Sequence, residues 1–573
     1  MNNHAPSFLI GFSRAGLPKS EIRNPKSETN PKNTMETRRT KKQGIPRAGR
    51  FETSEPLSFE LASYFEFLIS DLARKGSLLQ LPRFLKSALS PVFAASFVFG
   101  ACCFFTGCSF APKYQRPAVE TPAAFKELTP QSPEATNLWQ IAHPSDAVLR
   151  GKWWEMFTNT ELNALEEQVA VSNQNVAAAF ANFLSARALV KEARAQLYPT
   201  LAVNPAADRT RLASSAGGAT VTAYSLPLDA SWQPDLWGRI QNTVNANAFE
   251  AQATAADLEN TRLAAQAELA VDFFQLRAQD TLKQLFDDTV RAYRESLNLT
   301  KVRFQTGIAS DEDVAQAEVQ LQTAEAQATN LGILRAQLEH AIAILIGKPP
   351  AAISIPAQLF SVSPPPAPVG VPSELLERRP DIAAAERRVA EANARIGVAK
   401  AAYYPNITLS ASGGFQSASI GSLLDWSGRV WSLGAGLGET IFDAGQRKAT
   451  VQQFQAEYDS TVARYRQTVL AAFQQVEDEM ATLRILARQI EQEETVVKSS
   501  ERYLALATER YKLGIDSYLN VITAQTTYLV NRETLVNLRT QQIAASVQLV
   551  EAVGGGWDVS QTPTPKQLLS KTP

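Results

Sequence analysis

The three cysteines of this 573-residue chain lie close together, at Cys102, Cys103 and Cys108. A thiol can form a disulfide, bind a metal ion or carry a lipid. Because the long remainder of the sequence has no cysteine, it can hold neither disulfides nor cysteine metal sites. The three histidines are scattered singly, without a second ligand at metal-binding spacing. We therefore predict no metal site and no cofactor.

The uncharged segment before Cys108 helps to decide whether this cysteine carries a lipid or ends a membrane helix. The run, SALSPVFAASFVFGACC, starts at Ser87 just after Arg83 and Lys86. It could span a bilayer, but a basic flank, an apolar stretch and small residues are typical of a secretory signal. A Pro-rich segment follows, whereas a stop-transfer helix usually ends in a basic cluster. We predict that a signal at 83–107 is cleaved and that Cys108 carries lipid; an anchoring helix is the alternative.

The first 82 residues are polar and basic and show no sustained periodicity. A signal peptide belongs at the start of a chain, and no methionine occurs between Met35 and Met156. We interpret residues 1–82 as a mis-assigned or disordered leader, with translation starting at a non-Met codon near residue 80.

Composition and motifs exclude several classes of function. The chain is 45% hydrophobic with a formal net charge of −1, so it can bury a large core and has no overall attraction for nucleic acid. It contains no Gly-rich phosphate loop, no nucleophile with a nearby His and no carboxylate cluster at metal spacing. We predict that the protein is not an enzyme and has no nucleic-acid partner.

The sequence repeats itself. Residues 175–203 align with residues 381–409, and residues 302–318 align with residues 509–525, at almost the same shift. The alignment pairs the dipeptide Tyr198-Pro199 with Tyr404-Pro405. It also pairs Gly307 with Gly514. A constant shift over so much of the chain indicates an internal duplication.

The repeats define the predicted domains. The boundaries are 1–82 for the leader, 83–107 for the signal peptide, 108–159 for a lipidated extended tether, 160–350 for the first repeat, 351–372 for a Pro-rich connector, 373–557 for the second repeat and 558–573 for a short disordered tail. Prolines prevent the connector from being helical.

Hydrophobic residues recur every seven positions in each repeat, which is the spacing of a coiled-coil seam. They are Val462, Val469, Val476, Leu483, Ile490, Val497, Leu504 and Tyr511 in the second repeat and Leu269, Leu276, Val290, Leu297 and Phe304 in the first. A helix from Gly445 to Gly514 would be about 100 Å long. Charged residues recur along it, so we do not predict that it crosses a membrane.

Strand candidates follow each Tyr-Pro dipeptide. NITLSASGGF and RVWSLGAGLGETIF alternate apolar with small or polar residues, which is the pattern of a membrane β-barrel wall. PTLAV and SLPLDASW are poorer examples, interrupted near Pro205 and Pro227. Two hairpins supply four strands, whereas known barrels need eight or more, so several chains would share one barrel. A soluble two-hairpin sheet is the alternative.

Together these segments resemble the outer-membrane efflux proteins, which are TolC-like channels, and within them the lipid-anchored NodT type. The resemblance covers residues 108–557 and rests on the order of Cys108 with PKYQRP, GKWWEMFTNTELNALEEQV, PSELLERRPDIAAAERRV, both Tyr-Pro strand starts, DLWGR, RYKLGIDSYLNVITAQ and GGGW.

The resemblance implies a fold that is mainly α with membrane β. A long coiled-coil α-helical barrel would extend into the periplasm from a twelve-stranded β-barrel that a homotrimer shares in the cell outer membrane. The resemblance also implies a passive exit duct of a tripartite efflux pump, which exports drugs or other small toxic compounds. Its partners would be a periplasmic adaptor, an inner-membrane RND transporter and outer-membrane lipid.

The same resemblance places the turns at Gly307 and Gly514 at the periplasmic tip, where the helices converge to close the tunnel. Asn520 stands where relatives often have an acidic gate residue. The candidate gate residues are Asp311, Asp313, Arg510, Asp516 and Asn520. We predict that Asp313 and Asp516 line or latch the closed tip, with Arg510 as a salt-bridge partner. The alternative is that these charges are only a solvated surface and that packed apolar side chains such as Val521 and Ile522 close the tip.

Two other functions remain as alternatives. A lipid-anchored coiled-coil scaffold would have unbroken heptads and no recurring Tyr-Pro strand segments, so the duplication argues against it. The duct of a type I protein-secretion system has the same architecture but usually lacks lipid. A neighbouring gene for an ABC transporter would indicate secretion, whereas one for a proton-driven pump would indicate small-molecule efflux.

Overall fold

The computed structural model describes residues 110–128, 140–141, 151–359, 364–365, 368–369 and 375–570. The predicted leader, the signal peptide and Cys108 lie outside these residues. The described residues are mainly helical and belong to one compact unit, Val92–Pro573. The helices are α1 (Thr160–Ser172), α2 (Gln174–Ala195), α3 (Arg239–Gln305), α4 (Asp311–Leu345), α5 (Leu375–Arg378), α6 (Pro380–Ala401), α7 (Gln446–Lys512), α8 (Tyr518–Ala552) and α9 (Pro565–Leu569).

Helices of equal length recur in the same order in the two halves of the chain. Helices α2 and α6 have 22 residues each, α3 and α7 have 67, and α4 and α8 have 35. All eight heptad positions of α7 are buried or half-buried, as predicted for a packed seam. In α3 the pattern fails at Phe304, which is 44% exposed, because the neighbouring Arg303 packs against Tyr511 instead.

The strands form one antiparallel sheet and one short parallel pair. The strands are β1 (Gln140–Ile141), β2 (Thr200–Val203), β3 (Ala206–Arg211), β4 (Thr220–Trp232), β5 (Pro368–Val369), β6 (Asn406–Ser417) and β7 (Arg429–Gly438). Strand β1 pairs with β5. The sheet order is β2 and β3, then β4, β6 and β7, and β2 and β3 pair with β4 in one continuous register. The two short strands therefore act as one strand that is interrupted at Pro205.

Proline affects the two predicted strand breaks differently. At Pro205 the first strand is divided, as the sequence indicates. At Pro227 the expected break does not occur, and β4 continues through this residue. Gly414 pairs with Pro227, and a Cβ at Gly414 would lie 2.8 Å from the Pro227 Cα. Such a Cβ would lie even closer to Leu226 O, so the glycine allows the two backbones to approach closely at Pro227.

The sheet has one apolar and one polar face. Paired residues share a face, so Val203, Leu228, Gly413 and Trp431 form one row across the four strands. The next row on this face contains Leu201, Ala230, Ala411 and Leu433, whereas a row on the other face contains Ala202, Asp229, Ser412 and Ser432. Leu201 is 70% exposed and Leu433 is 75% exposed. The apolar face is therefore open over a single chain.

The segment predicted as an extended tether contains part of the core. Residues 110–125 have neither helix nor strand, which agrees with an extended segment. Trp153–Phe157, however, form a 3-10 helix, and Trp153, Trp154 and Phe157 are buried against Leu162 and its neighbours. The predicted boundary at residue 159 is wrong, because burying three large aromatic side chains favours a packed structure that begins before α1.

Buried ion pairs attach the Pro-rich connector to the first half of the chain. Arg277 donates to Asp280 Oδ2 at 3.0 Å and to Pro356 O at 2.6 Å. Asp280 also accepts from Arg335 Nε at 2.7 Å. Arg277 and Asp280 are 3% and 6% exposed, and their mutual bonds offset the cost of burying both charges. The described start of the connector has only a short 3-10 helix at Pro350–Ala352.

The end of the chain is packed up to Ser570, which corrects the predicted disorder of 558–573. Leu568 in α9 is fully buried, at 0% exposure. Arg187 in α2 donates from Nε to Leu568 O at 2.9 Å and from Nη2 to Ser570 O at 2.6 Å. A buried apolar side chain and an arginine that binds the last carbonyls hold the segment in place.

Within the described residues, no helix combines the length and the apolar character needed to cross a bilayer.

Candidate functional site at the helix turns

The turns after α3 and α7 have the same capping geometry. In each turn the glycine N–H donates to the carbonyl three residues before it, and the next N–H donates to the carbonyl five residues before it, at 2.8 to 2.9 Å. Both Gly307 and Gly514 have a φ of 75°. This pair of bonds closes a helix and reverses the chain. The left-handed conformation predicted for the two glycines is confirmed.

The charge pair predicted at the second turn is present. Arg510 Nε lies 2.5 Å from Asp516 Oδ2, and Arg510 Nη2 lies 3.3 Å from Oδ1. The hydrogen bond from Arg510 lowers the pKa of Asp516 below its ordinary value, because the bond favours the ionised carboxylate. The pair bridges the two sides of the turn at Gly514, and both residues belong to the same hairpin.

Asp313 has a different role from the one predicted. Its carboxylate accepts from Ser310 N at 2.9 Å and from Ser310 Oγ at 2.8 Å, and its N–H donates to Ser310 Oγ at 3.1 Å. These bonds form a capping box at the start of α4. Among the described residues, Arg510 pairs with Asp516 and not with Asp313. The sequence carried a signal for this role, because a serine three residues before an acid at the start of a helix has the spacing of a capping box.

The remaining candidates lie in the first turns of the following helices. Asp311 is the first residue of α4, where a negative charge favours the helix dipole. Asn520 lies in the first turn of α8, and its N–H donates to Ser517 O at 3.2 Å. Ser517 itself makes no side-chain cap. The capping box of the first turn is therefore not repeated in the second.

Arg303 connects the two hairpins, whereas the sequence indicated it only as a possible partner of acidic side chains at the tip. Its Nη1 donates to Tyr511 O at 2.7 Å and to Lys512 O at 3.2 Å, so it caps the end of α7. Its guanidinium carbon also lies 4.5 Å from the centre of the Tyr511 ring. The available signal was its position, because Arg303 and Arg510 lie at equivalent places before the two turns.

An apolar cluster with hydroxyl bonds lies behind Arg303. The Tyr511 and Tyr518 rings are 5.3 Å apart, and their hydroxyls lie 3.3 Å from Thr300 Oγ1 and 3.1 Å from Ser296 Oγ. Burial raises the pKa of Tyr518, and the charge of Asp313 adds to this effect. Val521 is 1% exposed in the same cluster. The apolar packing proposed as an alternative to charge thus exists within one chain.

The two Tyr-Pro motifs at the strand starts have different surroundings. The Tyr404 ring stacks on Phe110 at 4.2 Å and on Trp237 at 5.0 Å, and Trp237 Nε1 donates to Pro405 O at 2.7 Å. Tyr198, in contrast, is 60% exposed. Only the second motif therefore anchors the segment that follows Cys108.

Comparison with known proteins identifies the family. The sequence profile of outer membrane efflux proteins matches residues 165–348 and 371–555. The chain belongs to the outer membrane efflux protein family. It is 32% identical over 474 residues to the antibiotic efflux pump outer membrane protein ArpC and to the toluene efflux pump outer membrane protein TtgC, both of Pseudomonas putida. Each match covers 82% of this chain and 96% of the relative.

A solved structure shows the same fold. The MtrE outer membrane channel of Neisseria gonorrhoeae superposes with a TM-score of 0.68 at 26% identity, over 80% of this chain and all of that channel. Membership of the efflux protein family confirms the predicted outer-membrane location. The family is one of transport proteins rather than enzymes. Among the described residues, no group of His, Cys, Asp and Glu side chains is arranged to hold a metal ion.

Proposed function

We propose that this chain is the outer-membrane exit duct of a tripartite efflux pump. The observation that carries the proposal is the sheet, whose apolar face is open on a single chain and whose other face is polar. Such a sheet needs lipid on one side and water on the other, which is the arrangement in the wall of a membrane pore. A soluble two-hairpin sheet would bury its apolar face within the chain.

Assembly as a trimer accounts for the unpaired sheet edges. Strands β2 and β3 form one edge and β7 forms the other, and open edges are not stable in a membrane. Three copies joined edge to edge would close a twelve-stranded barrel. The paired helices of 67 residues would then form a coiled-coil barrel in the periplasm. We interpret the equal helix lengths of the two halves as the result of an internal duplication.

The other components follow from the relatives. ArpC and TtgC are named as outer membrane proteins of antibiotic and toluene efflux pumps. By analogy, this duct would carry drugs or other small toxic compounds, supplied by an inner-membrane RND transporter through a periplasmic adaptor. The two capped turns would lie at the periplasmic tip. There, Arg303 and the tyrosine cluster would hold the hairpins of each chain together in the closed state.

Conductance and export together test this function. Purified trimers are expected to form channels in planar bilayers, because the polar face of the sheet would line the pore. In cells that lack their own efflux ducts, the chain is expected to restore resistance to toxic compounds only when an adaptor and a transporter are also produced. Trimers that neither conduct nor restore export would refute the duct.

Lipid attachment at Cys108 is a separate proposal. Phe110, two residues later, is stacked at the helix end of the sheet, so a lipid on Cys108 would enter the membrane beside the barrel. We expect Cys108→Ser to abolish palmitate labelling. Cys103→Ser should keep the label, because residues 83–107 would be removed with the signal peptide. Labelled Cys108→Ser protein would show that the lipid is attached elsewhere, whereas a wild type without label would indicate the anchoring helix.

A further inference from the structure

Charge is distributed unevenly between the two faces of the sheet. The strand residues on the apolar face include three arginines and no lysine, aspartate or glutamate. The arginines are Arg209 and Arg211 in β3 and Arg429 in β7. The charged strand residues on the polar face are Asp208 and Asp229. Positive and negative charges of the strands therefore lie on opposite faces.

The strand register places the arginines on the apolar face. Arg209 pairs with Thr222 of β4, which lies an even number of residues from Leu228 in the same strand. Arg429 lies two residues before Trp431 in β7. Alternate residues of a strand share a face, and so do paired residues. Both arginines therefore share the face of the apolar rows.

All three arginines lie at the end of the sheet that is remote from the helices. The chain enters the sheet from α2 and leaves it to α3 at the same end, which is the end opposite the arginines. Along β7, Arg429 is eight residues from Leu437, or about 26 Å along the strand. At the usual strand tilt this length corresponds to about 20 Å of membrane depth. The apolar band of membrane β-barrels is about 25 Å tall, which is a similar distance. The arginines therefore mark the outer limit of the apolar face.

We infer that Arg209, Arg211 and Arg429 bind phosphate groups of lipid headgroups in the leaflet at this end of the sheet. The inference rests on the proposed function, because this face meets lipid only if the sheet crosses the membrane. Guanidinium groups bind phosphate through two parallel hydrogen bonds. The same face carries no carboxylate along its strands, so charge complementarity favours an anionic headgroup.

The surroundings of the arginines leave them available to such a ligand. Arg209 and Arg211 are exposed and have no ion pair among the described residues. Arg429 stacks at 4.6 Å on Trp426, and its Nη1 donates to Trp426 O at 3.1 Å. An arginine next to an exposed tryptophan suits the boundary between apolar chains and headgroups. Asp425 is the one carboxylate in the distal loops 212–219 and 418–428.

A second copy of the chain completes each binding site. Arg209 and Arg211 belong to one edge of the sheet, and Arg429 belongs to the other. In the proposed barrel, β7 of one copy pairs with the β2 and β3 edge of the next. The distal ends of these edge strands would then meet, so that Arg429 of one copy and the arginine pair of its neighbour would lie at the same end of one seam. The trimer would have three such sites, one at each seam.

The test compares lipid binding by trimers of the wild type and of R209Q/R211Q/R429Q. The probe is diphosphoryl lipid A in detergent, detected by native mass spectrometry, with phosphatidylcholine as the reference. We expect about tenfold weaker lipid A binding by the variant, because charge-assisted bonds are lost. R209K/R211K/R429K should be intermediate, since lysine keeps the charge without the fork. The control K191Q/R194Q/R466Q removes as many charges from the helices and should bind like the wild type.

Three outcomes would overturn the lipid site. Unchanged lipid A binding by the glutamine variant would do so, and so would an equal loss in the helix control. Full displacement by equimolar inorganic phosphate would show a site for free phosphate instead. Channel formation is measured on the same samples: conducting trimers with unchanged binding refute only the lipid site, whereas non-conducting wild-type trimers refute the duct. If the triple variant does not assemble, R429Q alone is compared.

Discussion

Replacing Arg303 with methionine is expected to raise the single-channel conductance of the protein in planar bilayers while its trimers stay intact. Arg303 joins the hairpin of α3 and α4 to that of α7 and α8, through Tyr511 O at 2.7 Å and Lys512 O at 3.2 Å. Methionine keeps a long stem but removes the charge and the donors. Each charge-assisted bond contributes about 1.5 to 3 kcal/mol, and the loss recurs in every copy.

Arg294→Met is the matched control for this result. Arg294 is also in α3, but its pair with Glu325, at 2.7 Å, stays within the first hairpin. Both side chains are about half exposed, and such pairs contribute about 0 to 1 kcal/mol. We expect wild-type conductance from Arg294→Met. If Arg303→Met conducted no better than this control, the link between hairpins would not hold the tip closed.

The carboxylates proposed from the sequence as a latch should matter less. Asp313 caps its own helix, and Asp516 braces its own turn through Arg510. Neither bond crosses between hairpins. We therefore expect the double variant with alanine at both positions to raise conductance less than Arg303→Met does. A larger rise in the double variant would restore the acidic latch and assign Arg303 a structural role.

The coiled-coil seam and the two helix turns could be predicted, because they follow from the spacing of residues in the sequence. The seven-residue repeat of α7 is buried or half-buried at every predicted position. The repeat that aligns Gly307 with Gly514 predicted two equivalent turns, and both turns have the same pattern of capping hydrogen bonds. These features depend on local backbone preferences and on which face of a helix is apolar. A sequence records both directly.

The side-chain partners were not predictable in the same way. Asp313 had both a distant arginine and a local serine within reach, and the local serine is the partner observed. The aromatic residues before α1 looked like part of a tether, because their burial depends on helices that come much later in the chain. Arg187 holds the end of the chain across a separation that no pattern marks. The contacts of the aromatic residues and of Arg187 depend on tertiary structure, whereas the bond between Ser310 and Asp313 is local and has the spacing of a capping box.

A buried acid without a partner is the second position at which a large effect is expected. The Glu166 side chain is fully buried at 0% exposure, and among the described residues neither of its carboxylate oxygens has a hydrogen-bond partner. Leu162 and Val169, on the same side of α1, belong to the apolar core. Burial raises the pKa of Glu166 well above its ordinary value, because an apolar core disfavours the charged form.

Glu166→Leu is therefore expected to raise the temperature of thermal unfolding at pH 8 and to reduce its pH dependence. An acid whose pKa is raised by folding stabilises the native state at pH values below its pKa in the unfolded chain, about 4.3 for Glu. This stabilisation is lost as the pH rises through the pKa of the folded state. Leucine cannot ionise and leaves no polar group unpaired. We expect a gain of about 1 to 3 kcal/mol, measured by thermal unfolding from pH 4 to pH 8.

Glu167→Leu is the matched control, because it removes the same charge from the next residue. The Glu167 side chain is 59% exposed and lies 2.5 Å from Lys152 Nζ, so its replacement should keep the pH dependence of the wild type. The same pH dependence in both variants would show that Glu166 is not the group that titrates. Lower stability of Glu166→Leu at pH 8 would contradict the conclusion that this carboxylate is unpaired in an apolar core.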